Sequence, residues 1–183
     1  MIFNPFRRTP RDDTIAALYG AIVAQARSPA FYRSYGVPDT VNGRFELILL
    51  HAVLLVSRLE AEGGPVRQLG QAVFDHFCSD MDANLREMGV GDIAVPRKMK
   101  AIGEAFYGRK RAYESAMAAP GLEELAAALV RNVGTAAESG QKRLATYVRS
   151  TAERLAALNG DALGRGEIAF ADPEALAQPA GAP

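Results

Sequence analysis

Between Thr40 and Glu62 the chain offers water almost no polar face. Phe45, Leu47, Ile48, Leu49, Leu50, Ala52, Val53, Leu54, Leu55, Val56 and Leu59 fall on every side of a helix. A surface helix needs one apolar stripe, whereas a helix apolar nearly all round has to be enclosed by others. Its richest run, Phe45–Val56, is interrupted by Glu46 and His51 and falls far short of the roughly 20 residues of a membrane span. The expected fold is therefore all-α: a single bundle of six or seven helices around this central one.

The neighbouring segments supply the enclosing helices. Asp12 or Asp13 can cap a first helix whose stripe is Ile15, Leu18, Tyr19, Ile22, Val23 and Ala26. Ser28 and Pro29 open a short second helix toward Tyr35. After Gly63-Gly64-Pro65, a helix from about Pro65 to Met88 carries Val66, Leu69, Val73, Phe74, Phe77, Met81, Leu85 and Met88 at helical spacing. Gly89 ends it. Pro96 opens the next, with Met99, Ile102, Phe106, Tyr113 and Met117 as its stripe and a bend expected near Gly108. A sixth helix follows Pro120-Gly121, and a seventh runs from about Glu138 to Leu158. No segment alternates with period two, so no strand is expected. The expected organisation is an arm at 1–11, a helical domain at 12–160 and a mobile tail at 161–183.

Catalytic signatures are absent. The sequence has no nucleophile elbow, P-loop or dinucleotide fingerprint. Its two histidines, 25 positions apart, and single Cys78 make no zinc pattern. His51, inside the apolar helix, reads as a hydrogen-bonded core histidine rather than a haem ligand. His76 reads as exposed and Cys78 as a structural thiol. An enzyme acting on a quinone-linked small molecule would need a nucleophile–base set that the sequence does not offer, and no cofactor is expected. The chain is formally neutral and nowhere basic enough for a dedicated nucleic-acid binder, so no DNA is expected as a partner. No signal peptide is expected, because Ile2, Phe3 and Phe6 come before Arg7 and Arg8 without an apolar core. Those residues, with Arg11, either touch a membrane interface or pack on the bundle. With no span and no signal, the protein is expected to be soluble.

Charge divides sharply over 74–113. Asp75, Asp80, Asp82, Glu87 and Asp92 stand against Arg86 on the first side of Pro96. Arg97, Lys98, Lys100, Arg109, Lys110 and Arg111 stand against Glu104 on the second. On the first helix, Asp82 and Arg86 form an i, i+4 pair opposite the stripe, while Asp80 and Glu87 sit at its edge. On the second, Lys98 and Arg109 flank the stripe and Arg97, Lys100 and Arg111 face away. If the two helices pack antiparallel, Asp80 and Glu87 can meet Lys98 and Arg109 in a ladder worth little per pair. Alternatively, Arg97, Lys98, Lys100 and Arg109 to Arg111 form a patch for a client loop, lipid headgroups or ribosomal RNA.

The same segment resembles the ubiquinol–cytochrome c chaperone family. The resemblance rests on Asp80-Met81-Asp82, Leu85 through Asp92, Val95-Pro96-Arg97-Lys98-Met99-Lys100, Ala105-Phe106-Tyr107-Gly108-Arg109 and Tyr113, and is densest over about Phe31–Tyr147. It implies a non-enzymatic assembly factor for ubiquinol–cytochrome c reductase that binds newly made cytochrome b. A ribosome or a small helical partner, and a peripheral position at the cytoplasmic side of the inner membrane, follow from the same resemblance. The client-binding residues it suggests are Asp80, Glu87, Asp92, Arg97, Lys98, Lys100, Phe106, Tyr107, Arg109 and Tyr113, with Gly89 and Gly91 shaping the turn. A ribosome- or lipid-surface adaptor built on the basic helix is the alternative.

Overall fold

A computed structural model describes residues 9–135 and 137–177 of the chain. Among them, nine helices and no strand form one bundle. Six are long: α1 (Pro10–Ala26), α3 (Val41–Glu62), α4 (Gly64–Glu87), α5 (Val95–Ala118), α6 (Glu123–Val133) and α7 (Glu138–Ala156). Three are short: α2 (Ala30–Arg33), α8 (Gly160–Gly164) and α9 (Pro173–Ala177). The all-α expectation holds, and α3 is the central helix, packed against α1, α4, α5, α6 and α7. Leu47, Leu49, Leu50, Leu55 and Leu59 on its several sides are all fully buried. At about 2 kcal/mol per enclosed side chain, this helix is the largest single source of burial energy in the fold.

Local signals place the ends. Thr9, rather than Asp12 or Asp13, caps α1: its hydroxyl accepts from the Asp12 N–H, and the Asp12 carboxylate accepts from the Thr9 N–H in return. This reciprocal box uses Asp12 at the third helical position instead of at the cap. The expected arm at 1–11 lies outside the described residues through residue 8. α5 continues through Gly108 without interruption. Gly140, in the first turn of α7, is set by packing: a Cβ there would stand 2.5 Å from the Tyr35 carbonyl oxygen.

The expected tail does not begin at 161. α8 buries Leu163 completely, and the segment after it packs Ala171 and Pro173 against the bundle through Ala177. Arg58 of α3 donates to the carbonyls of Leu155 and Leu158 at 2.9 and 2.6 Å, satisfying the end of α7 where the chain turns into α8.

His51 is the core histidine expected. Nδ1 lies 2.7 Å from the Leu47 carbonyl, which can only accept, so Nδ1 carries the proton. Nε2 then accepts from the Tyr147 hydroxyl at 2.7 Å, and that oxygen accepts from Gln25 at 3.0 Å. Burial holds the imidazole neutral and lowers its pKa to about 4. The unfolded chain binds this proton below about pH 6.5, whereas the folded protein does so only near pH 4. His51 therefore costs stability as the pH falls through that window, by about 3 kcal/mol in full. Urea unfolding of wild type and His51→Gln at pH 7 and pH 4.5 is expected to show a steeper acid loss in the wild type. Equal acid losses in the two proteins would contradict the buried neutral histidine.

Candidate functional site

α4 and α5 form an antiparallel hairpin, sealed by Phe74 against Phe106 at 4.5 Å and Phe77 against Phe106 at 6.2 Å between ring centroids. Its closed end is a compact turn. Gly89 adopts φ +79°, a left-handed conformation open to glycine at little cost. Its N–H donates to the Arg86 carbonyl at 2.9 Å and the Val90 N–H to the Leu85 carbonyl at 3.0 Å, satisfying the last carbonyls of α4. The Gly91 carbonyl then accepts from the Ala94 and Val95 N–H groups, starting α5. Gly91 itself has ordinary φ.

This turn exposes what a bundle normally hides. Ile93 is 98% exposed and Met88 61% exposed. Beside them lies a concave surface of about 730 Å³ lined by Gly91, Asp92, Ile93, Ala94 and Arg97. Arg86 reaches both Asp82, at 2.6 Å, and Asp92, so one guanidinium ties the turn to the last turns of α4. Arg97 and Lys98 are exposed and have no ion-pair partner among the described residues. Lys100 stands 3.7 Å from Glu104, with both side chains well exposed, a contact of little energetic weight. Tyr107, 49% exposed, lies about three turns further along α5, its ring against Phe74 and Phe106. Exposed apolar side chains next to unpaired cations suit a partner surface that is apolar with acidic groups.

The expected residues divide. Asp92, Arg97, Lys98 and Lys100 gather at or near the hairpin end, with Glu87 exposed beside it, whereas Tyr107 lies halfway along α5 against Phe74. Phe106 and Tyr113 do not join them: they are 1% and 0% exposed, because the α5 stripe that carries them faces the bundle interior. The ladder between Asp80 and Glu87 and Lys98 and Arg109 does not form. Asp80 turns to α1, where its carboxylate accepts from the Tyr19 hydroxyl at 2.6 Å. Arg109 turns to α3 and makes a two-pronged pair with Glu46, Nε to Oε2 at 2.8 Å and Nη2 to Oε1 at 2.6 Å. Sequence reasoning missed Glu46 as a partner and Met88 and Ile93 as exposed apolar groups. Glu46 was visible as the one acid interrupting the apolar run.

Elsewhere the described residues hold no cluster of histidine, cysteine, aspartate and glutamate that could bind a metal, and no helix long and apolar enough to cross a membrane. What the geometry defines is a class: an all-helical bundle with exposed Met88 and Ile93 beside Arg97 and Lys98 at one hairpin end. Residues 33–170 match the family described as ubiquinol-cytochrome C chaperone, and the chain belongs to that family. It is 36% identical to the Cbp3 homolog from Brucella abortus, whose crystal structure superposes with a TM-score of 0.82 over 90% of this chain and 92% of that one. It is 26% identical to ubiquinol-cytochrome-c reductase complex assembly factor 1 of Xenopus laevis, covering 85% of this chain and 80% of the frog protein. The Mus musculus protein of that name is 28% identical over 84% of this chain, which spans only 54% of the mouse protein's length.

Proposed function

We propose that this protein is an assembly factor for ubiquinol–cytochrome c reductase, acting without catalysis by binding newly made cytochrome b at the α4–α5 hairpin end. Family membership and the names of its relatives support the first part. The second rests on one observation: Ile93 and Met88 stand out of the bundle beside Arg97 and Lys98. A newly made polytopic protein presents apolar helices with charged loops between them, and this surface offers the complement of both. Asp92 and Lys100 frame the same surface, Glu87 borders it, and Tyr107 offers a further exposed ring halfway along α5. The site of action in this reading is the inner face of the inner membrane, reached peripherally; a ribosome or a small helical partner would bring the client within reach.

Charge reversal tests the reading. The full chain carrying Arg97→Glu, Lys98→Glu and Ile93→Asp is expected to capture cytochrome b from detergent-solubilised membranes at least about tenfold less than wild type, the loss of roughly 1.4 kcal/mol or more. Its melting temperature should be unchanged, because exposed substitutions of this kind cost within about 0.5 kcal/mol. Undiminished capture by the folded variant contradicts the hairpin end as the client surface. The unpaired cations also favour a second reading, an adaptor for ribosomal or lipid phosphates. Salt separates the two: phosphate binding through these cations collapses between 50 and 200 mM salt, and apolar client binding persists.

A further inference from the structure

A second surface lies far along the sequence from the hairpin and is already occupied by the chain itself. Residues 167–172 have no helical or sheet bonding of their own. With Pro173, the first residue of α9, they cross a groove formed by α1, the turn after α2, α3 and α7, and nearly every polar contact they make there is through the main chain. Gln25 donates to the Ala171 carbonyl at 2.8 Å. The Tyr35 hydroxyl donates to the Pro173 carbonyl at 2.8 Å. Thr151 Oγ1 accepts from the Ala171 N–H at 3.3 Å, and Arg154 donates to the Phe170 carbonyl at 3.3 Å. The side chains contribute shape: Phe170 stands edge-on to the His51 ring at 5.2 Å, and Ala171 and Pro173 are buried. One side-chain ion pair, Arg33 with Glu174, is largely exposed and adds little.

A groove that reads main-chain groups does not require this particular segment. Any extended polypeptide offering the same carbonyls and N–H, an aromatic followed by a small residue, and a proline two positions later satisfies it equally. That is the logic of peptide recognition in which the backbone supplies affinity and pockets supply preference. The resident segment is also separable from its neighbours. It starts after Gly166, at φ +77°, and α8 before it keeps its own anchor in fully buried Leu163. Were the segment simply absent, Gln25, Tyr35 and Thr151 would lose partners in a mostly buried site, a cost that an incoming segment removes.

We propose that this groove is a second binding site, for an extended aromatic–small–Xaa–Pro segment of a partner polypeptide, and that Phe170–Pro173 is its resident competitor. Binding is then gated: the apparent affinity for the partner is reduced by the small fraction of molecules in which the resident segment is out of the groove. The proposal does not depend on cytochrome b, and its test uses none.

The probe is a fluorescently labelled peptide of the sequence Glu-Ile-Ala-Phe-Ala-Asp-Pro-Glu, titrated with the full chain. Phe170→Ala weakens the resident segment and leaves the groove intact, so it is expected to bind the peptide at least about tenfold more tightly than wild type. Adding Tyr35→Phe in that background should weaken binding severalfold, because the Pro173-type carbonyl loses its donor. No binding by a folded Phe170→Ala protein overturns the proposal. Hydrogen exchange on the wild type decides the matter even if that variant fails to fold. The Ala171 amide is expected to exchange through an opening that leaves the α7 amides, such as that of Val148, protected. Exchange of both only by global unfolding overturns it.

Discussion

Arg109→Ala is expected to destabilise the fold by about 3 kcal/mol, although Arg109 lies in the most basic stretch of the chain and reads in sequence as surface. The reason is its partner. Glu46 has only 4% of its side chain exposed, and Arg109 20%, so the two-pronged pair between α3 and α5 is largely shielded from water. The Glu46 hydrogen bond raises the Arg109 pKa against the lowering effect of burial. Removing one member leaves a carboxylate inside the bundle with nothing to neutralise it, which costs far more than the net worth of the intact pair. Glu46→Ala should cost a similar amount, and Arg109→Met with Glu46→Leu should recover most of the loss. Lys98→Ala, eleven positions earlier on the same edge of α5, should stay within about 0.5 kcal/mol. Urea unfolding of these variants checks the assignment. Arg109→Ala as mild as Lys98→Ala would contradict it.

Ending the chain after Asn159 is expected to cost about 3–5 kcal/mol, a large part of a typical domain's stability of about 5–15 kcal/mol. Leu163 contributes about 2 kcal/mol through burial. The hydrogen bonds from Gln25 and Tyr35 to the Ala171 and Pro173 carbonyls, and from the Ala171 N–H to Thr151, add about 1 kcal/mol each. The backbone freedom regained opposes these terms and is balanced by the remaining packing of 160–177 against the bundle, Ala171 and Pro173 included. Ending the chain after Ala177 instead removes none of these groups, so the stabilities of the two truncated chains should differ by that amount. A midpoint unaltered by the longer truncation would show that 160–177 adds nothing to the bundle.

How much of this was legible in sequence differs by element. The enclosure of α3 was, because apolar residues on all sides of a helix admit one solution. The hairpin turn was as well: a left-handed glycine at 89 and a proline at 96 are local devices, set by residues next to one another. The partners of charged side chains were not. Asp80 and Arg109 lie on stripe edges where periodicity leaves two neighbours equally available. Tyr19 and Glu46 were chosen by the packing of α1 and α3, 61 and 63 positions away. Phe106 and Tyr113 show the converse limit, since family resemblance marks them but helical spacing had already placed them on the buried stripe. The segment 160–177 escaped notice because glycine, alanine and proline give no period, and its groove recognises main chain, which every sequence shares. Ile93 escaped notice because a single apolar residue in a turn carries no pattern at all.

The central claim is that this protein serves the assembly of ubiquinol–cytochrome c reductase through cytochrome b. Its most direct test is the amount of assembled, cytochrome b-containing reductase in membranes of a strain from which this protein has been deleted. The level should fall severalfold while other respiratory complexes keep theirs, and should return with the wild-type chain but not with the Arg97→Glu, Lys98→Glu, Ile93→Asp variant. An unchanged level of the assembled reductase in the deletion strain would contradict the account.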